Sequence, residues 1–166
     1  TKAITPELNT NIESDLLLVK LNHPNRLGGS IFGEVNKTTF NETPDVDNPS
    51  ALKNLFNQIQ TLIKQEDILA LHDISDGGLF TSIVEMCFTK KAGMDIKLPS
   101  LNLEDANPYF FAEEIGLVIQ VAKDKTKKIE EVLGESFVVQ NLGTLNDSKI
   151  LNIACTEGSI FSESIV

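Results

Sequence analysis

The stretch that most restricts the fold is Asp15 to Leu21 (DLLLVKL), where apolar residues follow one another instead of alternating. Successive side chains of a strand point to opposite faces, so a strand of this composition must be covered on both sides. It ends at the turn formers His23, Pro24 and Asn25. A second short apolar strand, Ile68 to His72, leads into the paired Gly77 and Gly78. Behind these, Leu79, Phe80, Ile83, Val84 and Cys87 recur at the spacing of a helix's buried face. Another amphipathic helix is marked by Leu52, Leu55, Phe56, Ile59, Leu62 and Ile63, with Asn48, Pro49 and Ser50 as its start signals. Between the first strand and that helix lies an LGGS stretch, Leu27 to Ser30, and then a polar loop to Asn48. Farther on, Gly116 to Val121 reads as a strand and Lys123 to Leu133 as a charged helix closed by Gly134. Phe137 to Gln140, Lys149 to Ala154 and Ser159 to Ser162 read as strands joined by Asn, Asp and Gly turns. The expected class is α/β (α+β), a mixed sheet with helices packed on it.

A chain of 166 residues that is 41% hydrophobic builds one sizeable core and not two. Residues 1–14, rich in Thr and Asn and without a hydrophobic period, read as a lead-in that gains order only by docking on another surface. Residues 15–164 read as the single domain. The 14 Lys and Arg against 24 Asp and Glu give a net charge of -10, which repels a phosphate backbone and argues against nucleic acid as a partner. A phosphate-bearing small molecule would need a divalent cation or local N–H groups to offset that charge. No apolar run approaches the roughly 18 to 20 residues needed to cross a bilayer, and Thr1 to Asp15 lacks the regions of a signal peptide, so a membrane partner is not expected. Cys87 and Cys155 are too far apart in sequence for a close metal-ligand spacing. Cys87 lies on an apolar helix face, so both read as reduced thiols of a cytoplasmic protein and neither as a nucleophile.

Chemistry concentrates in His72-Asp73-Ile74-Ser75-Asp76-Gly77-Gly78, where a strand ends and a helix begins. Sheets of this kind present ligand groups there, and the N–H groups of a helix start can hold phosphate oxygens. Asp73 offers a hard carboxylate oxygen to magnesium and Ser75 a hydroxyl to a phosphate, while two glycines let a ligand approach the backbone. The spacing is equally served by a plainer arrangement, in which Asp76 caps the helix and the glycines permit a tight turn.

HDISDGGL, followed by its apolar helix, resembles the HDxSDGGL segment of phosphoribosylformylglycinamidine synthase. The DLLLVKL strand, the LGGS stretch, the helix at Leu52 to Ile63, FFAEEIGLVIQV at Phe110 to Val121 and IFSES at Ile160 to Ser164 resemble that family in the same order. The resemblance implies the fold of the carboxy-terminal domains of aminoimidazole ribonucleotide synthetase relatives. It also implies a parent ligase that uses glutamine and ATP to turn formylglycinamide ribonucleotide into the amidine in purine biosynthesis. It further implies that Asp73 is a magnesium ligand and that Ser75 contacts ATP, with His72, Asp76, Gly77 and Gly78 supporting the loop. Glu113 and Glu114, at the end of an expected short helix, receive no role, since adjacent carboxylates on a helix diverge and commonly meet solvent.

On this reading the chain is an excised last carboxy-terminal-type domain, inactive alone. Its expected partners are the remaining synthetase domains and a glutamine amidotransferase domain. An apolar surface on its strand side, left for a docking domain, would make the isolated chain self-associate. Two alternatives keep the same family: a structural domain holding a nucleotide that does not turn over, or a piece of a related enzyme such as aminoimidazole ribonucleotide synthetase, selenophosphate synthetase or thiamine phosphate kinase.

Overall fold

The DLLLVKL run forms β1 (Ser14–Lys20) in a computed structural model that describes residues 3–166, and it lies inside the sheet, as its composition requires. Its neighbours are β4 (Gly116–Ala122) and β5 (Val138–Asn146), both antiparallel to it. Outside β4 stands the short edge strand β2 (Ala70–Asp73). Beyond β5 follow β3 (Gly93–Leu98), β6 (Ile150–Cys155) and β7 (Gly158–Ser164). The order is β2-β4-β1-β5-β3-β6-β7, and among the described residues the β3–β6 pair alone is parallel, so the sheet is mixed as expected.

Alternate residues of β1 feed two cores. Leu16 and Leu18 face α3 (Gly78–Lys90) and α4 (Ala106–Phe111), where Ile83, Met86 and Phe110 are buried. Leu17 and Val19 face α2 (Pro49–Lys64) and α5 (Thr126–Gly134), which bury Leu55, Ile59, Ile129 and Leu133. Asn48 caps α2 by accepting the Ala51 N–H at 3.0 Å, and Pro49 follows it in the first turn. A further short helix, α1 (Ile31–Val35), is capped by Ser30 inside the segment expected to be only a loop.

Two expectations need correcting. The lead-in does not wait for another partner. The Leu71 N–H donates to the Thr5 carbonyl at 3.0 Å, so the segment covers the outer edge of β2, and Leu8 is buried at 1% exposure in the core under α3. Gln120 fixes the same segment from below, accepting from the Asn9 N–H and donating to the Asn9 carbonyl, each at 2.8 Å. Thr1 and Lys2 lie outside the described residues. Nor is the open side of the sheet apolar. Among the described residues, none of β3, β6 or β7 joins the core under α2 and α5. The face they leave open carries a polar ladder instead: Asn152 donates to Asp95 at 2.8 Å and accepts from Ser162 at 2.7 Å. Partly buried apolar side chains lie on the helix side, where Phe40, Phe32, Phe111, Phe80 and Phe161 form a continuous line of ring contacts. Phe32 stacks on Phe111 with centroids 4.9 Å apart.

The turn before β2 is held by charge. Asp67, with its side chain only 6% exposed, sits 2.5 Å from Lys125 and 3.6 Å from Lys128. The hydrogen bond from Lys125 is the main reason that its carboxyl is held below the usual aspartate value. A carboxyl whose pKa is lower folded than unfolded stabilises the fold above its unfolded value, roughly 4, and loses that contribution as pH falls through and below it. The urea midpoint of the wild type should therefore exceed that of Asp67→Asn at neutral pH, and the gap should close below about pH 4. A gap that stayed constant into the acid range would contradict the ion pair's role.

Candidate functional site

At its carboxyl end β1 pairs Lys20 with Gly116, where β4 begins, and Asp73 at the end of β2 pairs with Leu117. The loops after β1 and β2 and the segment before β4 therefore meet at one end of the sheet. Three stretches far apart in sequence are brought together: LGGS, HDISDGG and the Glu-Glu pair of FFAEEIG.

The HDISDGG turn is shaped by its glycines. Gly77 is the N-cap of α3 with φ +82°, and Gly78 follows with φ +69°, both in the left-handed region that a side chain disfavours. A Cβ on Gly78 would stand 2.6 Å from the Phe110 carbonyl oxygen, so the turn also lets α3 press against α4. His72 supports the loop from behind. Its Nε2 lies 2.8 Å from Glu85 and its Nδ1 2.6 Å from the Asp73 carbonyl, which also accepts from the Ser82 hydroxyl at 2.9 Å. These contacts fix the backbone of Asp73 and leave its carboxylate 72% exposed. Ser75 is exposed two residues on, and its carbonyl accepts the Gly78 N–H at 2.9 Å.

The acidic pair proves to be structure, not solvent decoration. Both residues lie past the end of α4 and point to different loops. Glu114, buried, receives the Arg26 guanidinium through Nε at 2.6 Å and Nη2 at 2.9 Å, and the Arg26 N–H at 3.1 Å. Arg26 continues to Asp47 at 3.0 Å, and Asp47 to His23 at 2.9 Å, so the turn after β1 is tied to the loop before α2. Glu113 Oε1 accepts the Gly77 N–H and the Ile31 N–H, each at 2.9 Å. It serves the glycine turn at the start of α3, where no side chain of the turn itself does, so Asp76 is not the cap. Sequence reasoning missed Glu113, Glu114, Arg26 and Asp47 because their partners are remote in the chain. The one available hint was that two carboxylates directly precede the buried strand β4.

Glu113 also changes the electrostatics expected at this turn. The Gly77 N–H that could have met a phosphate already holds a carboxylate, so Asp73, Asp76 and Glu113 make the loop anionic. Negative charge brought here has to be met by a cation. Asp73 is the exposed hard oxygen donor at the strand end, which suits magnesium. Among the described residues no group of three or more His, Cys, Asp or Glu is arranged to hold a metal ion, so one bound at Asp73 would draw most of its ligands from phosphate oxygens and water. Burial pushes the Cys87 thiol up to about 12, which keeps it protonated and inert. Neither cysteine is in a disulfide, and among the described residues no helix is long and apolar enough to cross a membrane.

This sheet, with its helices and its converging loops, is that of a synthetase-related α/β domain. The chain belongs to the family described as AIR synthase related protein, C-terminal domain, whose match covers residues 13–155. Its fold recurs in PurLQS from Thermotoga maritima, with a TM-score of 0.76 at 10% identity over 98% of this chain and 27% of that one. It recurs likewise in phosphoribosylformylglycinamidine synthase II from Thermotoga maritima, with a TM-score of 0.74 at 10% identity, covering 98% and 26%. The hydrogenase maturation protein HypE is similar at a TM-score of 0.59 and 16% identity over 92% of this chain and 52% of that one. At these identities the likeness is one of fold, and the chain spans about a quarter of the length of the PurL chains it matches.

Proposed function

We propose that this chain contributes one wall of a magnesium-nucleotide site in the ligase that converts formylglycinamide ribonucleotide to its amidine, using ATP and ammonia released from glutamine. The observation that carries the reading is the presentation of Asp73 and Ser75, exposed and two residues apart, on a turn whose backbone is tied down at Asp73, Ile74, Ser75, Gly77 and Gly78. It is supported by the fold shared with phosphoribosylformylglycinamidine synthase II and by the existence of PurL complexes with ATP and with ADP.

In the proposed reaction the substrate's amide oxygen attacks the γ-phosphorus and ADP leaves. Ammonia then adds to the activated carbon, and phosphate departs with the former amide oxygen. Magnesium, when bound, offsets charge on the phosphates. Asp73 would hold that ion and Ser75 would donate its hydroxyl to a phosphate oxygen, while the ties around them keep both in place before the nucleotide arrives. Residues 15–164, with the lead-in packed on them, act as the working domain, in the cytoplasm. The remaining synthetase domains complete the site, a glutaminase domain supplies ammonia, and the partly buried phenylalanine line on the helix side offers a neighbouring domain an apolar seat. The isolated chain, lacking those walls, would not turn over, and exposure of that seat would favour self-association.

A second reading has the same turn hold a nucleotide that stabilises the assembly without being consumed. Ser75→Ala in the assembled ligase separates the two. Amidine formation should fall at least roughly tenfold if the nucleotide reacts, since hydrogen bonds to charged groups contribute about 1.5–3 kcal/mol. Unchanged turnover with a lowered melting temperature would instead assign the nucleotide a structural role.

A further inference from the structure

Resting on the nucleotide reading above, we infer that Glu113 is the positioning residue of the site: its carboxylate sets the HDISDGG turn against the LGGS loop and thereby places Asp73 and Ser75. A single oxygen, Oε1, accepts two backbone N–H groups that belong to different loops, Gly77 at the start of α3 and Ile31 at the start of α1, each at 2.9 Å. These residues are separated by more than forty positions in the chain, and Glu113 arrives from a third segment. The geometry is that of a three-way junction closed by one charged acceptor. Charge-assisted hydrogen bonds of this kind are short and directional, and both helix starts carry partial positive charge that a carboxylate satisfies.

The neighbouring Glu114 makes the contrast informative. It is buried against Arg26 and serves the packing of the β1 turn, whereas Glu113 is only half buried and touches only backbone of the two motif loops. The carbonyl of the left-handed Gly77 accepts the Thr81 hydroxyl at 3.1 Å, but no side chain of the turn caps α3, and Glu113 is the side chain that receives the Gly77 N–H. Releasing the Gly77 N–H would free the Ser75 to Gly78 turn to rotate, moving the Ser75 hydroxyl and the Asp73 carboxylate relative to each other. Substitution at Glu113 therefore acts on ligand affinity through Asp73 and Ser75 without removing any group that would touch the nucleotide.

The test uses the assembled protein with Glu113→Ala and Glu113→Gln, measuring backbone hydrogen exchange in peptides covering residues 27–33 and 74–80, thermal unfolding, and magnesium-ATP affinity by calorimetry. Glu113→Ala should speed exchange in both peptides together and weaken magnesium-ATP binding by roughly tenfold or more, as removal of a supporting partner does at metal sites. Glu113→Gln, whose amide oxygen can accept both N–H groups, should restore most of the affinity. Faster exchange in both peptides with unchanged affinity would overturn the positioning role and leave Glu113 a purely structural tie. Faster exchange in one peptide only would overturn the junction. A wild type that bound no magnesium-ATP would bring down the nucleotide reading itself, and the Glu113 role with it, whereas normal binding in Glu113→Ala would remove the Glu113 inference alone.

Discussion

Gly78→Ala should destabilise the domain by about 3 kcal/mol, lowering its melting temperature by roughly 6–12 °C. Two costs combine. At φ +69° an L-residue pays about 1–2 kcal/mol for the left-handed conformation, and the new methyl stands 2.6 Å from the Phe110 carbonyl oxygen and 2.8 Å from the Phe111 backbone. Those atoms are main chain of α4, so relief requires α3 and α4 to part and the core around Ile83 and Phe110 to loosen. Gly134→Ala is the matched control, because a Cβ there meets nothing within 4 Å, and it should stay within about 0.5 kcal/mol of wild type. Equal, small effects for the two would mean that the turn is not as tightly built as its geometry states.

Leu8→Ala should cost about 2–4 kcal/mol, the range for emptying a buried leucine site. Leu8 is 1% exposed and belongs to the core under α3, so its loss leaves a void that the neighbouring side chains fill only in part. The Leu8 N–H donates to Thr89 at 3.3 Å, and that tie together with the Thr5 and Asn9 contacts should loosen with it. Urea unfolding of the variant measures the cost, and exchange of the Leu71 amide reports whether the edge of β2 has opened. A change under about 0.5 kcal/mol would show that the lead-in adds nothing to this domain's stability.

Periodicity disclosed what periodicity can. The apolar run of β1, the 3.6-residue stripes of α2 and α3, and the strand-glycine-helix join at Gly77 and Gly78 stand where the pattern puts them, except that Phe56 of the α2 stripe is 61% exposed. The strand β3 was passed over although Met94, Ile96 and Leu98 alternate with Asp95 and Lys97, because Gly93 and the flanking polar residues masked a period-two signal only six residues long. The strand β5 reaches Asn146, six residues beyond the expected end at Gln140. One face of its outer half is uncovered, so polar residues there carry no penalty and conceal the strand, while Leu142 on the other face is buried. The docking of the lead-in is hidden for a related reason: one buried leucine and a few hydrogen bonds hold it, and neither leaves a pattern in composition.

The site was legible to the same degree. Residues offered to a ligand can be read by type and adjacency, and the two candidates read that way, Asp73 and Ser75, stand exposed on the turn. Residues that hold the loops do not, since Glu113 meets Ile31 and Gly77, and Glu114 meets Arg26, across long stretches of chain. The acidic pair receives no role from sequence because adjacent carboxylates on an expected helix diverge. In the structure α4 has already ended, and the extended backbone sends the two carboxylates to opposite tasks.

The central claim is that the Asp73 carboxylate holds magnesium for a nucleotide, and Asp73→Asn in the assembled protein tests it. The change removes a charge and a strong metal ligand but keeps the side chain's size, and the backbone carbonyl that His72 and Ser82 grip is untouched. Calorimetric titration of ATP with and without magnesium, beside thermal unfolding of the same variant, should show magnesium-dependent binding weakened at least roughly tenfold with the melting temperature almost unchanged. Unaltered magnesium-dependent binding would contradict the account.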